Sequence, residues 1–275
     1  MSRNQPPSVT SIQGPVHHDR HVSQDDGSTV QSRALAMSVH LFTASGALWA
    51  LLTLDAIMSG DYRMAFLWMF VAMFVDSVDG PLARRLDVKR HASHIDGARL
   101  DDVIDYINYT FVPIVLLIHA GWLPDPAPLW AAFPLVASAL AFSNTESKDT
   151  EDGFFLGFPS YWNVFAFYVV VLATAGSEWL VLLLMLAFSP LSVMPVRFVY
   201  PNRFDGMRWF FFGGGIVWIA SILFAALQYP DTPRLFVQVS LVYPALYLGL
   251  PCGWTAIGPE RYMSGRLGFP LLSNH

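Results

Sequence analysis

Eight apolar segments, separated by short polar stretches, set the pattern of this sequence. Most of them approach the ~20 residues that an α-helix needs to cross about 30 Å of hydrocarbon. The second is long enough if its helix continues through Arg84, and Pro134 interrupts the short fourth one. The pattern predicts an all-α polytopic membrane protein with about eight transmembrane helices. The segments are Leu35–Met58, Met64–Val78, Leu100–Ile118, Leu129–Phe142, Pro159–Ala175, Trp179–Phe198, Met207–Leu227 and Leu235–Leu250.

Composition supports this assignment and divides the chain into three parts. The sequence is 54% hydrophobic and 13% charged, which is typical of a membrane protein and excludes an ordinary soluble domain. Residues 1–33 are polar and lack apolar periodicity, so they predict a flexible N-terminal tail. Residues 34–250 form the predicted membrane domain, and residues 251–275 form a C-terminal tail. The single cysteine, Cys252, excludes a disulfide within one chain.

The distribution of Lys and Arg predicts the orientation in the membrane. With eight crossings, fourteen of the sixteen basic residues fall on the same side as both termini, and only Arg63 and Arg234 fall opposite. Because short cytoplasmic loops carry the excess of positive charge, both termini are predicted to be cytoplasmic. The second and third segments meet at that cytoplasmic face.

Four aspartates occur at helical spacing on these two segments. Asp76 and Asp79 are three residues apart, and Asp101 and Asp105 are four apart, so each pair shares one helical face. Ionised groups at membrane depth are costly and usually functional. Carboxylate oxygens suit Mg²⁺ or Mn²⁺, and two such ions can clamp a phosphate. The spacing therefore predicts a divalent metal site that opens to the cytoplasm.

Small residues share the faces that carry the aspartates. Gly80, Ala83 and Gly97 leave space where a bulky ligand can approach the helix backbones, and the planar fork of Arg84 suits a phosphate. The alternative is that these small residues only permit close helix packing. Their register with four aspartates favours the ligand interpretation.

The motif Asp76-x2-Asp79-Gly80-x2-Ala83-Arg84, followed by Gly97-x3-Asp101-x3-Asp105, resembles the signature of the CDP-alcohol phosphatidyltransferase superfamily. All eight fixed positions match, but the spacer 85–96 is longer than usual. A longer spacer is a feature of the bacterial members that use choline. Four further stretches are similar to that branch: residues 38–46, 79–81, 101–109 and 153–163. The resemblance covers residues 35–250.

The resemblance implies an activity and roles for the motif residues. Enzymes of this branch transfer the phosphatidyl group of CDP-diacylglycerol to choline, giving phosphatidylcholine and CMP, at the bacterial inner membrane. It implies that Asp76, Asp79, Asp101 and Asp105 hold two ions, Mn²⁺ first and Mg²⁺ second, and that Asp105 takes the proton of the choline hydroxyl. Related enzymes are often homodimers. The nucleotide and diphosphate side would be formed by Gly80, Ala83, Arg84 and Gly97.

Two polar residues on the first segment are further candidates for this side. His40 and Thr43 lie one turn apart near its cytoplasmic end. In this position they could contact the nucleotide or support an aspartate. An equal alternative is that the two residues only pack against each other and their neighbours.

Choline carries a permanent positive charge without N–H donors, so proteins hold it with aromatic faces and carboxylates. Aromatic and acidic residues lie beside the aspartates and in residues 146–163, after the fourth apolar segment. An interfacial aromatic belt beside a solvated acidic loop is an equal alternative. The predicted choline-binding residues are Tyr106, Tyr109, Asp152, Phe154, Phe155, Tyr161 and Trp162.

Two other functions fit parts of the pattern. Within the same superfamily, the acceptor is glycerol phosphate, inositol phosphate or serine. Phosphorylated acceptors need extra cationic groups near the metals, whereas the nearby stretch here is acidic and aromatic. A divalent cation transporter is the other alternative. Transporters often contain internal repeats, and the aspartate stripe has no second copy. Nothing in the composition indicates a nucleic-acid partner.

Overall fold

The computed structural model describes residues 25–144, 154–156, 160–194, 197–199, 208–247 and 249. Helices dominate this part of the chain. The first half contains α1 (Asp25–Ala44), α2 (Gly46–Met58), α3 (Tyr62–Arg85), α4 (Val88–His91), α5 (Gly97–Asp105), a π-helix (Tyr106–Phe111) and α6 (Val112–His119). The second half contains α7 (Ala127–Phe142), β1 (Phe154–Leu156), α8 (Trp162–Leu172), α9 (Glu178–Leu191), β2 (Arg197–Val199), α10 (Arg208–Leu227) and α11 (Arg234–Ser240).

Within the described ranges, three helical stretches are long and apolar enough to cross a membrane: Val30–Met58, Tyr62–Arg85 and Gly97–His119. They correspond to the first three predicted segments, and the continuation of the second through Arg84 is confirmed. Four shorter apolar helices match the next four segments: Ala127–Phe142, Trp162–Leu172, Glu178–Leu191 and Phe212–Leu227. In the eighth segment, α11 is followed by helical residues 242–247. The chain is therefore built from helices of membrane type.

The structure differs from the predicted segments at two helix ends and adds one pair of short strands. Helix α1 begins at Asp25, inside the predicted tail 1–33; hydropathy marks only the apolar part of a helix, whose backbone bonds continue into polar sequence. Helix α9 ends at Leu191 instead of continuing to Phe198, since a residue before a proline such as Pro195 is biased away from helical geometry. Arg197–Val199 instead pairs antiparallel with Phe154–Leu156, which qualifies the all-α prediction.

The long spacer of the motif forms a short helix of its own. Within residues 85–96, α4 packs against α1, and its Val88 and the following Ala92 are buried in a small cluster with Ala36 and Val39. The basic side chains of Lys89 and Arg90 face outward. The extra residues of this spacer therefore pack the connection between α3 and α5 against α1.

The buried core lies between α2, α3, α6, α8 and α9, with Phe66, Ile114, Trp162 and Met185 among its largest enclosed side chains. Helix α2 packs along α3, α6 packs against α8, and α7 packs against α9. Large apolar side chains also cover much of the outer surface. Leu51, Phe74, Leu183 and Val217 are each more than 60% exposed, which suits helices that face lipid rather than water.

Candidate metal centre

Three aspartates converge at one point between α3 and α5. Carboxylate oxygens of Asp76, Asp101 and Asp105 lie within 4.8 Å of one another, and all three residues are half-buried. Asp101 and Asp105 face the same way because four residues make about one helical turn. We call these three residues the aspartate triad. The prediction that α3 and α5 bring carboxylates together is confirmed.

Asp79, the fourth predicted ligand, lies beside the triad. It is 6% exposed, and its Oδ2 accepts a hydrogen bond of 2.8 Å from the Thr43 hydroxyl on α1. It lines the same cleft as the triad, together with Asn108 and Tyr109. The role of Asp79 as a metal ligand stays a prediction. The hydrogen bond supports the interpretation in which Thr43 positions an aspartate.

Tyr109 orients one member of the triad. Its hydroxyl donates a hydrogen bond of 2.8 Å to Oδ2 of Asp76, and its ring is buried. The residue belongs to the π-helix that begins directly after Asp105. Single π-helical turns are rare and occur often at functional sites, because the added residue rotates the side chains that follow. The π-helix thereby places Tyr109 where it can reach across to α3.

A close approach of α2 to α5 sets the position of the second aspartate pair. A Cβ added to Gly46 would overlap Cγ2 of Ile104, and the Asn108 amide donates hydrogen bonds to the carbonyl oxygens of Gly46 and Ile104, at 3.1 and 3.0 Å. Sequence reasoning missed both Gly46 and Asn108. The sequence offered one signal for each of them: an asparagine four residues after Ile104, and a glycine inside an apolar segment.

The start of α5 is fixed by its own cap. The Asp96 carboxylate accepts hydrogen bonds from the backbone N–H groups of Ala98 and Arg99, both at 3.2 Å. Its other oxygen lies 3.1 Å from Nε of Arg99. Asp96 therefore caps the N-terminus of α5, as Asp commonly does. This role distinguishes it from the four aspartates of the motif.

The three carboxylates of the triad are chemically suited to bind a divalent cation. Three carboxylates this close repel one another unless a cation or protons offset their charge. All-oxygen ligation is what Mg²⁺ and Mn²⁺ prefer. The hydrogen bond from Tyr109 to Asp76 is the kind of outer contact that orients ligating carboxylates. The triad therefore has the ligands to hold such an ion.

His40 lies against the start of α5. A Cβ added to Gly97 would approach Cε1 of His40 to 3.0 Å, so the absence of a side chain at Gly97 makes room for the imidazole. His40 is 6% exposed, and its Nε2 has no hydrogen-bond partner among the described residues. A buried nitrogen without a partner is costly. The observation favours the interpretation in which His40 contacts a ligand over a satisfied packing pair.

The remaining residues predicted for the nucleotide side divide into two kinds. Arg84 is exposed, and its guanidinium lies over Gly80, where an added Cβ would stand 3.4 Å from Nη1. Ala83 instead packs against the small cluster formed by α1 and α4. This contact agrees with the packing alternative for Ala83, and its predicted place on the nucleotide side stays a prediction.

Of the predicted choline-binding residues whose side chains are described, two lie away from the triad. Trp162 is fully buried, and its indole N–H donates to the Ser138 hydroxyl at 2.9 Å, so it is a core residue. The Tyr106 hydroxyl donates to the Leu135 carbonyl on α7 at 3.2 Å. Both contacts lead away from the triad, and a buried indole or phenol takes whichever hydrogen-bond partner its helix packing supplies.

Two aromatic rings remain beside the triad. The rings of Tyr109 and Tyr161 meet edge to face at 6.2 Å, and Tyr161 is 41% exposed. The backbones of Phe154 and Phe155 lie in β1, whereas their side chains and the whole of Asp152 lie outside the described residues. Tyr161 is thus an accessible aromatic ring in contact with Tyr109, which in turn bonds to the triad.

Removing the Tyr109 hydroxyl is expected to loosen the triad. Tyr109→Phe keeps the buried ring and deletes the hydrogen bond to Asp76, and the loss of such an orienting contact typically costs about 10–100-fold in metal affinity or activity. The measurement is the Mn²⁺ concentration that gives half-maximal activity. Tyr106→Phe is the matched control, since its hydroxyl bonds to α7; equal effects of the two variants would contradict the role of Tyr109.

The comparisons with known proteins agree with this geometry. A sequence model of the CDP-alcohol phosphatidyltransferase family matches residues 34–199, and the chain belongs to this family. Its relatives include a protein of Legionella pneumophila named phosphatidylcholine synthase, with 37% identity over 81% of this chain and 89% of that protein. Proteins of the same name from Pseudomonas aeruginosa (34% identity, 81% and 92% coverage) and Bradyrhizobium diazoefficiens (40%, 64% and 66%) are also similar.

Proposed function

We propose that this protein transfers the phosphatidyl group of CDP-diacylglycerol to choline, producing phosphatidylcholine and CMP. The observation that carries the proposal is the aspartate triad, held by two apolar helices of a chain that belongs to the phosphatidyltransferase family. The name shared by its relatives supports choline as the acceptor. Such charges among apolar helices are costly and need a function.

The aspartates have complementary roles in this reaction. The triad, with Asp79 beside it, would hold Mn²⁺ or Mg²⁺, and two ions suit this ligand set. Bound ions of this kind neutralise a diphosphate and stabilise charge on a departing phosphate. Asp105 takes the proton from the choline hydroxyl, and the oxygen attacks the phosphorus that bears diacylglycerol. The bond from that phosphorus to the bridging oxygen breaks, and CMP leaves.

The nucleotide side of the substrate lies toward α1 and the ends of α3 and α5. The imidazole of His40 packs against Gly97 at the start of α5, and its Nε2, which has no partner among the described residues, is available to hydrogen-bond with the nucleotide. Arg84 is exposed next to Gly80 and is placed for the diphosphate. Thr43 holds Asp79 in position. Catalysis then comes mainly from positioning and charge stabilisation, as in phosphoryl transfer generally.

The membrane orientation follows from the same assignment. We infer eight crossings with both termini in the cytoplasm, because this arrangement gathers nearly all Lys and Arg on one side. The exposed basic residues Arg84, Arg85, Lys89 and Arg90 lie at the end of α3 and on α4. They would face the cytoplasmic surface of the bacterial inner membrane, where CDP-diacylglycerol and choline are both within reach of the triad.

Tyr161 is expected to contribute to choline binding. Tyr161→Ala should raise the KM for choline about 2–5-fold, the range for a cation–π contact at an exposed site, and should change the KM for CDP-diacylglycerol less. Steady-state kinetics with each substrate varied in turn measure this. Trp179→Ala is the control, since Trp179 is 66% exposed on α9 and has no place in the site. An unchanged choline KM in Tyr161→Ala would refute the contact.

Activity of the purified full-length protein tests the proposed function. In proteoliposomes with CDP-diacylglycerol and Mn²⁺, CMP release should require choline, and labelled choline should appear in phosphatidylcholine. Serine, glycerol 3-phosphate and inositol phosphate are assayed in parallel. Release of CMP with one of these acceptors and not with choline would reject choline and retain the family reaction. Mn²⁺ flux into the vesicles without CMP release would reject both.

A further inference from the structure

The residue two positions before α8 has an unusual backbone conformation. Ser160 has a φ of +52°, in the left-handed region that residues other than glycine seldom adopt. Among the described residues other than glycine, only Asp87 shares such a φ. A left-handed residue of this kind persists only where the surrounding structure enforces it, and such residues cluster at ligand sites. The turn at Ser160 is therefore held by its neighbours.

The next residue, Tyr161, forms a second tight turn. Its φ of −75° and ψ of 56° match an inverse γ-turn. The backbone N–H of Trp162 closes this turn by donating a hydrogen bond of 2.8 Å to the carbonyl oxygen of Ser160. The carbonyl of Tyr161 then accepts a hydrogen bond of 3.2 Å from the N–H of Phe165, in the first turn of α8. Tyr161 is thus the central residue of a tight turn that leads directly into α8.

Buried residues hold both sides of this turn. Ser160 is 2% exposed, and its hydroxyl lies 3.4 Å from the hydroxyl of Ser192 at the end of α9. On the other side, Trp162 is completely buried and its indole N–H donates to the Ser138 hydroxyl on α7 at 2.9 Å. The turn is therefore fixed between α7 and α9, and its backbone cannot shift without disturbing the core.

Tyr161 is the exposed residue between these two buried ones. Its side chain is 41% exposed, and its ring meets that of Tyr109 edge to face at 6.2 Å. Tyr109 in turn donates a hydrogen bond to Asp76 of the aspartate triad. Because the γ-turn closes on the carbonyl of Ser160, the direction of the Tyr161 ring depends on the backbone at Ser160.

The backbone of Ser160 has more influence here than its hydroxyl. The 3.4 Å between the hydroxyl oxygens of Ser160 and Ser192 is long beside the ~2.7–2.8 Å of a good O–H···O bond. Glycine adopts a positive φ without steric cost, whereas a β-branched residue at such a φ is a strong outlier. The turn therefore requires a small, unbranched residue at position 160, with or without a hydroxyl.

We propose that Ser160 is a positioning residue for the cationic acceptor: its left-handed turn holds the Tyr161 ring against Tyr109 and thereby sets the affinity for choline. The proposal rests on the proposed function for the identity of the acceptor. It gives Ser160 no chemical step, since its own side chain stays in the core. A ring fixed in advance suits a quaternary ammonium group, because cation–π attraction depends on the distance from the cation to the ring centre.

Fluorine NMR tests the turn without requiring turnover. 3-Fluorotyrosine is incorporated at position 161 of the full-length protein. Ser160→Gly permits the left-handed turn and should leave the ¹⁹F resonance unchanged. Ser160→Thr keeps a hydroxyl but opposes the positive φ, and should move the resonance toward that of a solvent-exposed 3-fluorotyrosine by more than its line width. The same resonance in both variants would overturn the proposal. If Ser160→Thr does not fold, an unchanged resonance in Ser160→Gly supports the turn and a changed one overturns it.

Kinetics with each substrate varied in turn test the consequence for choline. Ser160→Thr should raise the KM for choline about 2–5-fold, as expected for loss of the Tyr161 contact, with little change in the KM for CDP-diacylglycerol. Ser160→Gly should retain the wild-type choline KM.

A double variant separates positioning of the ring from a general structural effect. In the Tyr161→Ala background, Ser160→Thr should not raise the choline KM further, because residues that act through one contact are not additive. A further rise of the same size, or an equal rise in the KM for CDP-diacylglycerol, would overturn the role of Ser160. Absence of choline-dependent turnover in the wild type would reject the proposed function, and the fluorine resonance would still decide the turn.

Discussion

Replacement of Asp101 or Asp105 by asparagine is expected to reduce CMP release roughly 10³-fold or more. Each change removes one negative charge and one strong oxygen ligand from a group whose carboxylates lie within 4.8 Å of one another. Bound metal ions contribute several kcal/mol of charge stabilisation to phosphate chemistry, and each ~1.4 kcal/mol is a factor of ten in rate. Asp105→Asn also removes the proposed base for the choline hydroxyl, so its loss should be the larger.

Asp102→Asn provides the matched control for both variants. Asp102 lies on the same helix, is also half-buried and is next in sequence to Asp101, but it is absent from the triad. The same chemical change there should alter CMP release less than about threefold. Initial rates are compared at saturating CDP-diacylglycerol, choline and Mn²⁺. Full activity in Asp101→Asn, or an equal loss in Asp102→Asn, would contradict the assignment of the triad.

Gly46→Leu is expected to lower kcat about 100-fold although residue 46 is a helix terminus without chemistry. Even a Cβ at this position overlaps Cγ2 of Ile104, and a β-branched isoleucine is stiff and yields little. Helix α2 must therefore move away from α5, which carries Asp101 and Asp105. Misplacement of catalytic groups by about 1 Å is enough to cost about 10²-fold in rate.

A double variant separates this steric effect from simple unfolding. Gly46→Ala combined with Ile104→Ala removes the overlap and should recover most of the activity that Gly46→Ala loses alone. Ala47→Leu is the control, because Ala47 is the adjacent residue and is exposed. Thermal unfolding in detergent is recorded for every variant. If the second substitution brings no recovery, the close approach of α2 to α5 does not control the triad.

The convergence of α3 and α5 on one site could be predicted from the sequence because it depends on local periodicity. Residues at i and i+4 face the same way in any helix, and a short connection keeps consecutive helices adjacent. These two facts place Asp76 near Asp101 and Asp105 before any coordinates are known. The positions of the long apolar helices are predictable for a similar reason, since the thickness of the bilayer fixes the length of an apolar run.

Contacts between helices that are distant in sequence could not be predicted in this way. The bond from Thr43 to Asp79 joins residues 36 positions apart, and that from Tyr109 to Asp76 joins residues 33 apart. The second also depends on the π-helix, which changes the facing of Tyr109 relative to a regular α-helix. The sequence therefore placed Tyr109 among the predicted choline-binding residues, and its hydrogen bond to Asp76 was not predicted.

Aromatic residues were the least predictable part of the site. Tyr161 and Trp162 are adjacent in sequence, but the first is 41% exposed beside Tyr109 and the second is completely buried. Composition near a membrane surface favours both as interfacial or ligand-binding residues. Which of two neighbouring rings faces the core is decided by the packing of α8 against α6, which no local pattern specifies.

Binding of Mn²⁺ to the purified protein shows whether the aspartate triad holds a divalent cation. Electron paramagnetic resonance measures free Mn²⁺ in a titration of metal-depleted wild-type protein and of a variant with Asp76, Asp101 and Asp105 all changed to asparagine. The wild type should bind Mn²⁺ saturably, in competition with Mg²⁺, and the variant should lose this binding while it retains the helical circular dichroism signal. Equal Mn²⁺ affinity in the two proteins would contradict it.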